Sequence, residues 1–467
     1  MSDTSIAARI WSLCHVLRDD GIVYHKYLSE LTYLIFLKTA AETGAESTLP
    51  EGCRWDDLLD QPKKGLLSFY RKMLTRLGED ADDENVRAIF SFPTTVFSHD
   101  ENLAKVVSGI QSLDWHSATK DGLGAIYEAL LERNATEARS GAGQYFTPRT
   151  LVDSMVRLLA PGPGDTVQDP SVGTGGFLIS AHEFIRKKVS RKSYTATPPT
   201  FSGMEIEHDT YRLCLMNIFL HQMDGQIIHG DALTDDAKGL GEANVVIANP
   251  PFGTTAGGAR PRRQDLPFPT SNKQLLFLQH IYLSLAPGGR AAVVVPDNVI
   301  SDDGMARKVR DDLMDRCNLH TVLRLPEGLF YAASVKTNVL FFSNDRDKAR
   351  ADDTWVYDFR SGMPRFGRNR QLSVADLRAF EAAYGSDPYG KDRPESTNPR
   401  WKKFTRAEVA SPSTSCTLSW LHREEPEVLT VRPSGEIVQE ARRHLQDALG
   451  ALDEFGDALS AAQGMIQ

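Results

Sequence analysis

The sequence predicts an α/β fold: a Rossmann-like, mostly parallel sheet covered by helices, preceded by an all-α N-terminal domain and followed by a C-terminal helix. Three observations carry this. Apolar residues recur at three- and four-residue spacing through the first 135 residues. Beyond them, short strand-like runs alternate with amphipathic segments. One of those runs ends in a glycine-rich turn that opens a helix.

The first helical stretch covers 5–40, with Ile6, Ile10, Leu13 and Leu17, then Leu28, Leu31, Leu34 and Ile35 on one stripe. Asp19-Asp20-Gly21 breaks it into two helices. Helical pattern returns over 65–77, 84–91, 101–112 and 122–134. Strands are expected at Thr166–Gln168, Thr200–Met204, Gly225–His229 and Val245–Ala248, with helices over 175–189 and 209–221 between them. Arg290–Pro296, Thr321–Leu325 and Val339–Phe342 continue the alternation. From about 350 to 430 the chain is rich in Pro, Gly, Arg and Ser and reads as irregular, with Ser386–Pro399 as a flexible loop. An amphipathic helix closes the sequence, its apolar stripe made by Ile437, Ala441, Leu445, Ala448, Leu452, Phe455 and Leu459. The expected organisation is a helical domain over 1–135, a catalytic domain over 136–350, an irregular extension over 351–433 and a terminal helix over 434–467.

Composition narrows the function classes. The 467 residues are 41% hydrophobic and 25% charged, the balance of an ordinary globular protein. No run approaches the roughly 18 apolar residues of a membrane span. The first residues lack the basic-then-apolar pattern of a secretory signal, so a cytoplasmic protein is expected. Cys14, Cys53, Cys214, Cys317 and Cys416 are scattered without paired spacing, which argues for reduced thiols and against a disulfide framework or a zinc site; no metal is expected. A net charge of −9 does not announce a nucleic-acid binder, although basic clusters occur at Lys187–Lys192, at Arg260, Arg262 and Arg263, and at Arg365, Arg368 and Arg370.

The first chemical site is Asp169-Pro170-Ser171-Val172-Gly173-Thr174-Gly175-Gly176-Phe177, between a strand and a helix. Glycines there let the backbone turn sharply and approach a ligand without an intervening Cβ. Glu205 ends the next strand, where a carboxylate can accept from two ribose hydroxyls, and Asp231 ends the third, where it can take the amino group of an adenine ring. With Asp169, these put acids at three successive strand ends, lining the cleft where open α/β sheets bind ligands, so Asp169 too is expected to face the cofactor. The loop lacks the Gly-Lys-Ser/Thr phosphate cradle, which disfavours ATP.

The second site is Asn249-Pro250-Pro251-Phe252, directly after the fourth strand. The exocyclic amine of a nucleobase is a poor nucleophile because its lone pair is delocalised into the ring. The Asn249 side-chain carbonyl and the Pro250 backbone carbonyl can both accept from such an amine, drawing it toward tetrahedral geometry and stabilising the charge that builds on it. The two prolines fix the backbone and donate nothing. Phe252 offers a face for an extruded base, a contact worth about 1–3 kcal/mol.

Gln144-Tyr145-Phe146-Thr147-Pro148-Arg149, the glycine loop and Asn-Pro-Pro-Phe together resemble the amino-group DNA methyltransferases, and more narrowly the modification subunit of type I restriction–modification systems. The resemblance covers nearly the whole chain, with Ile10-Trp11 through Leu37-Lys38, Lys336–Phe342, Trp355–Gly367 and Leu418–Leu421 similar to other segments of that family. It implies an S-adenosylmethionine-dependent sheet in which Gln144 to Arg149 close over the cofactor. Gly173, Thr174, Gly175 and Gly176 would lie under the cofactor's methionine part, Glu205 on its ribose and Asp231 on its adenine. Asn249 and Phe252 would handle the adenine to be methylated, flipped out of double-stranded DNA. Arg260, Arg262 and Arg263 then fall where the phosphates of the flipped strand must pass. The resemblance also implies two modification subunits on one specificity subunit, gripped here through the 434–463 helix, and leaves room for a nuclease/translocase subunit. Two departures stand out: Asp297-Asn298 where Asp-Gly is expected, and Ser334 where the family has Gly. RNA or protein-glutamine methylation, and a catalytically silent DNA-binding scaffold, remain as alternative readings.

Overall fold

The computed structural model describes residues 6–13, 24–113, 115, 120–137, 147–254, 263–330, 335–344, 353–367, 370–394, 396–410 and 418–422. The first part is helical: α1 (6–13), α2 (Tyr24–Thr43), α3 (Trp55–Leu59), α4 (Leu66–Asp80), α5 (Glu84–Ile89), α6 (Asp100–Gln111) and α7 (Lys120–Glu137), with no strand among the described residues. Side-chain spacing explains the packing. On α4, Leu66, Leu67, Tyr70, Met73, Leu74 and Leu77 share one buried face, while Arg71, Lys72 and Arg76 point outward. α5 starts where the Asp83 side chain accepts from the Asn85 and Val86 amides. Helix α2 is buried over most of its surface and brings Glu30 into the core. That carboxylate accepts from the Tyr70 hydroxyl and the Val96 amide, each at 2.8 Å, and burial pushes its pKa up to about 7.

Helix α8 (Arg149–Leu159) leads into the sheet. In chain order follow β1 (Thr166–Asp169), α9 (Gly176–Lys188), α10 (Arg191–Ala196), β2 (Thr200–Glu205), α11 (His208–Leu220), β3 (Gln226–His229), β4 (Ala243–Ala248), α12 (Lys273–Ser284), β5 (Leu285–Pro296), α13 (Asp297–Ser301), α14 (Met305–Arg316), β6 (Asn318–Arg324), β7 (Thr337–Ser343), β8 (Asp353–Asp358), α15 (Val374–Tyr384), β9 (Trp401–Thr405) and α16 (Arg406–Ala410). The nine strands lie in the order β3-β2-β1-β4-β5-β7-β6-β8-β9. Only β7 and β9 run against the others. Chain order reverses between β1 and β4, the switch point at which open α/β sheets bind ligands beyond their carboxyl ends. The glycine loop leaves β1 and Asn-Pro-Pro-Phe leaves β4, so the two motifs face each other across that crevice. Central strands are apolar on both faces, as in Val245–Ala248 and Ala291–Val295, because helices cover both sides.

The stretch expected to be irregular is corrected by the structure. Between 353 and 410 it holds β8, β9, α15 and α16, which extend the sheet by two strands. Trp355 and Trp401 stack at 5.1 Å and an interplanar angle of 10°, and α15 begins with a capping box of Ser373 and Asp376. The described residues of Ser386–Pro399 carry no helix or strand, but Arg393 pins the segment. Arg393 donates to the carbonyls of Tyr384 and Asp387 and to the Thr321 hydroxyl, and lies 3.8 Å over the Tyr384 ring. Strand β5 also starts five residues earlier than the sequence pattern suggests, through Gly288 and Gly289.

Cys53, Cys214 and Cys317 are buried thiols outside any disulfide; Cys14 and Cys416 lie outside the described residues. Among the described residues no helix is long and apolar enough to cross a membrane, and no group of His, Cys, Asp and Glu could hold a metal ion. The 434–463 helix lies outside the described residues.

Candidate active site

The glycine loop is shaped from below. Asp169 is only 1% exposed, and its carboxylate turns back to accept from the Ser171 amide at 2.9 Å and the Ser171 hydroxyl at 3.3 Å. Burial pushes its pKa up to about 7. This corrects the expectation that Asp169 faces the cleft: it holds the loop's first turn. Val172 then donates its amide to the Met204 carbonyl at 3.0 Å, laying the loop on β2. Gly173 and Gly175 have φ of 56° and 89°, in the left-handed region where a Cβ is costly. The Thr174 carbonyl accepts from Asn217 of α11 at 2.9 Å. Gly176 opens α9, so the first amides of that helix lack intrahelical partners, and the helix dipole adds positive potential there.

Glu205 at the end of β2 accepts from the Gly173 amide at 3.1 Å with one oxygen and from the Glu207 amide at 2.8 Å with the other. Burial raises its pKa, with those amides working the other way. Ile206 beside it is 64% exposed, an unusual place for a large apolar side chain. Asp231 is half-buried beyond β3 and accepts from the Leu233 amide at 2.9 Å.

Across the crevice, Asn249 donates its Nδ2 to the Thr147 hydroxyl oxygen at 3.0 Å. Its Oδ1 is buried and has no partner among the described residues. A buried amide oxygen left unsatisfied costs about 1–3 kcal/mol unless something donates to it. The backbone that follows is held by α12: Gln274 donates to the Pro251 carbonyl at 2.9 Å, and the Lys273 amide to the Gly253 carbonyl at 3.1 Å. The half-buried Phe252 ring meets the edge of Phe330 at 6.3 Å and 73°.

Other expected site residues are placed differently. Gln144, Tyr145 and Phe146 lie outside the described residues, as do Arg260 and Arg262. Thr147 touches Asn249, and Pro148 caps α8. Arg149 is engaged by three carboxylates, Glu128 of α7 at 2.8 Å, Asp153 at 3.1 Å and Glu183 of α9 at 3.3 Å. Burial works against its charge, but those carboxylates hold it above the ordinary arginine value. It joins three helices and has little left for a ligand. Arg263 corrects the phosphate reading: its side chain is 8% exposed, paired with Asp265 and bonded to the Ala232 carbonyl and to His280 Nδ1. Burial and that guanidinium push the His280 pKa down to about 3. In the Asp297-Asn298 pair the departure is Asn298, while Asp297, the residue that keeps the pattern, has a purpose in the fold. Its carboxylate takes both Nη atoms of Arg360 at 2.9 and 3.0 Å, with Arg324 and Asn338 completing the set, which ties the ends of β5, β6 and β8 together. Ser334 lies outside the described residues.

Sequence reasoning missed Ile206, Gln274, Glu128 and Asn217. Only Ile206 had a readable signal, an apolar residue immediately after the acid that ends a strand.

Comparison with known proteins shows the family. Residues 118–413 match the N-6 DNA Methylase family model. The chain is 42% identical to the methylase subunit of the type I restriction enzyme EcoKI of Escherichia coli K12, over 97% of each chain. It is 41% identical to the StySPI methylase subunit of Salmonella potsdam, over 99% of this chain and 96% of that one. Among solved structures, the crystal structure of the EcoKI M protein matches over 96% of each chain at 39% identity and a TM-score of 0.55. A structure from the type I R-M system, described for its complex assembly and conformational transition, matches over 98% of each chain at 26% identity and a TM-score of 0.75. With a family model spanning more than half of it and relatives this similar over nearly their whole length, the chain belongs to the N-6 DNA methylases, as a methylase subunit of the type I restriction enzyme kind.

Proposed function

We propose that the crevice between β1 and β4 binds S-adenosylmethionine and an adenine swung out of double-stranded DNA, and that Asn249 and Pro250 hold the exocyclic amine for methyl transfer. The buried, unpartnered Oδ1 of Asn249 is the observation that carries this reading. An N–H donor from the target satisfies it, and the benefit grows as the amine becomes positive. The chain's own residues suit the cofactor. Gly173 and Gly175 leave the loop open, the first amides of α9 suit a carboxylate, and Glu205 has lone pairs for ribose hydroxyls. Ile206 offers an apolar surface to a purine, and Asp231 an acceptor to its amino group. When bound, the cofactor supplies an electrophilic methyl group: a C–N bond to the amine replaces the C–S bond, and the surplus proton leaves to water. Phe252, braced by Phe330, gives the target base its stacking face.

Arg260 and Arg262 remain the arginines assigned to DNA phosphates. Sequence reading is assigned to a specificity subunit, two modification subunits on one, gripped through the 434–463 helix; a chain acting on DNA this way works in the cytoplasm. Transfer of labelled methyl from the cofactor to duplex DNA, RNA and protein tests the substrate class. Asn249→Ala should abolish turnover while cofactor affinity stays near the wild-type value. A variant with near-normal turnover would refute the assignment.

A further inference from the structure

The loop after β4 fixes where the Asn249 amide sits, but not which end of it faces the target. A half-turn about the last side-chain torsion exchanges the carbonyl and the amino group at small steric cost. With the amino end forward, donor would meet donor, and the amine would lose the acceptor that activates it. The two prolines restrain the backbone and leave that torsion free. In this structure the amino end is the one engaged: Thr147 Oγ1 accepts from Nδ2 at 3.0 Å, which leaves Oδ1 as the end without a partner among the described residues.

We propose that Thr147 is a positioning residue for methyl transfer, its hydroxyl oxygen taking the Asn249 amino group so that the Asn249 carbonyl faces the target amine. This rests on the reading that Asn249 accepts from that amine. It gives Thr147 a different task from covering the cofactor.

The position of Thr147 is itself fixed. Pro148 follows with φ of −51° and accepts the Leu151 and Val152 amides as the first turn of α8. Arg149 then anchors the segment to Glu128, Asp153 and Glu183 on three helices. The second oxygen of Glu128 accepts from Asn217, which also donates to the Thr174 carbonyl in the glycine loop. The segment that carries this hydroxyl is therefore linked through Arg149, Glu128 and Asn217 to the Thr174 carbonyl of the glycine loop.

The test uses the full chain assembled with its partner subunits, duplex DNA and labelled cofactor. Thr147→Val keeps the shape and removes the acceptor. It should lower kcat by about 10- to 100-fold, short of the ~100- to 1,000-fold that losing a stabilising group outright costs. The cofactor Kd should stay within about twofold, and Thr147→Ser should recover most of the rate. If Thr147→Val melts below the wild type, Thr147→Ala removes the same acceptor with less bulk and is expected to give the same split. An unchanged kcat, or a raised cofactor Kd with kcat intact, would overturn the proposal. A double-mutant cycle separates it from the reading beneath it. In an Asn249→Ser background with residual turnover, Thr147→Val should have no further effect, and an equal effect there would also overturn it. Near-normal turnover in Asn249→Ala would instead remove the catalytic reading on which this one stands.

Discussion

Gly203 sits in the middle of β2, where a glycine weakens a strand without an evident return. A Cβ there would lie 2.8 Å from both Cβ and Cγ2 of Val172 and 3.1 Å from the Asp169 carbonyl oxygen, where ordinary contact begins at 3.4 Å. Val172 is β-branched and buried, so it cannot rotate away. Gly203→Ala must therefore lift the glycine loop off β2. That strains the Val172–Met204 hydrogen bond and pulls the Gly173 amide from Glu205. Overpacking of this kind costs about 1–3 kcal/mol. If bound cofactor needs the loop in its present place, the same energy reappears as about a 5- to 150-fold weaker Kd. Calorimetric titration with S-adenosylmethionine and a thermal melt measure both quantities. A variant with the wild-type Kd would show that the loop's seat on β2 is irrelevant to binding; an unchanged melting temperature would show that the clash is relieved elsewhere.

Replacing Glu205 by Ala removes a charged acceptor and should weaken cofactor binding by about 1.5–3 kcal/mol, while the DNA concentration for half-maximal rate stays put; an unchanged cofactor Kd would refute the assignment. Asp169 carries a pKa raised from 3.8 to about 7, so its contribution to stability is complete below pH 4 and lost as pH rises through 7. Asp169→Asn lacks that titration, and the wild-type melting temperature should fall relative to the variant's between pH 5 and 8; a constant difference would exclude the effect. Glu30, also near 7, titrates in both proteins and cancels in the comparison. Deleting 434–467 should leave a folded, cofactor-binding protein that no longer co-purifies with a specificity subunit. Efficient sequence-specific methylation by the purified chain alone would sink that assignment.

The central fold was legible because its periods are clean. Val245–Ala248 is a short apolar strand bounded by turn residues, the run before Asp169 is a short strand that leads straight into the glycine-rich turn, and helices over 175–189 and 209–221 appear almost where the pattern puts them. β8 and β9 were not legible. Asp353–Asp358 and Trp401–Thr405 are short, lack a clean apolar–polar alternation and are set among Arg, Gly and Pro, and what makes them strands is each other: the Trp355–Trp401 stack joins residues far apart in sequence. The motif strings likewise located the site but not its supports. Nothing in the string around Arg149 shows that Glu128 and Glu183 will close on it, nor around Arg263 that Asp265 will claim it. Proximity in space set those contacts, whereas strand-end position, which the sequence does show, put Glu205, Asp231 and Asn249 at the candidate site.

A nine-stranded sheet has to end somewhere, and on the β9 side it ends on two lysines. Lys402 and Lys403 are consecutive, so they project to opposite faces of the edge. Lys402 lies over the rings of Phe404 and Trp420, at 5.0 and 5.5 Å, and Lys403 pairs with Asp353 at 3.0 Å. Another extended segment adding itself there would have to strip water from an ammonium group on each face at once, whichever way it approached. The aromatic surface that builds this end of the sheet is thus guarded by charge against fibril-like growth during synthesis and refolding. Replacing both lysines with Val or Thr, which favour strands, should leave the fold intact and raise the tendency of the chain to aggregate.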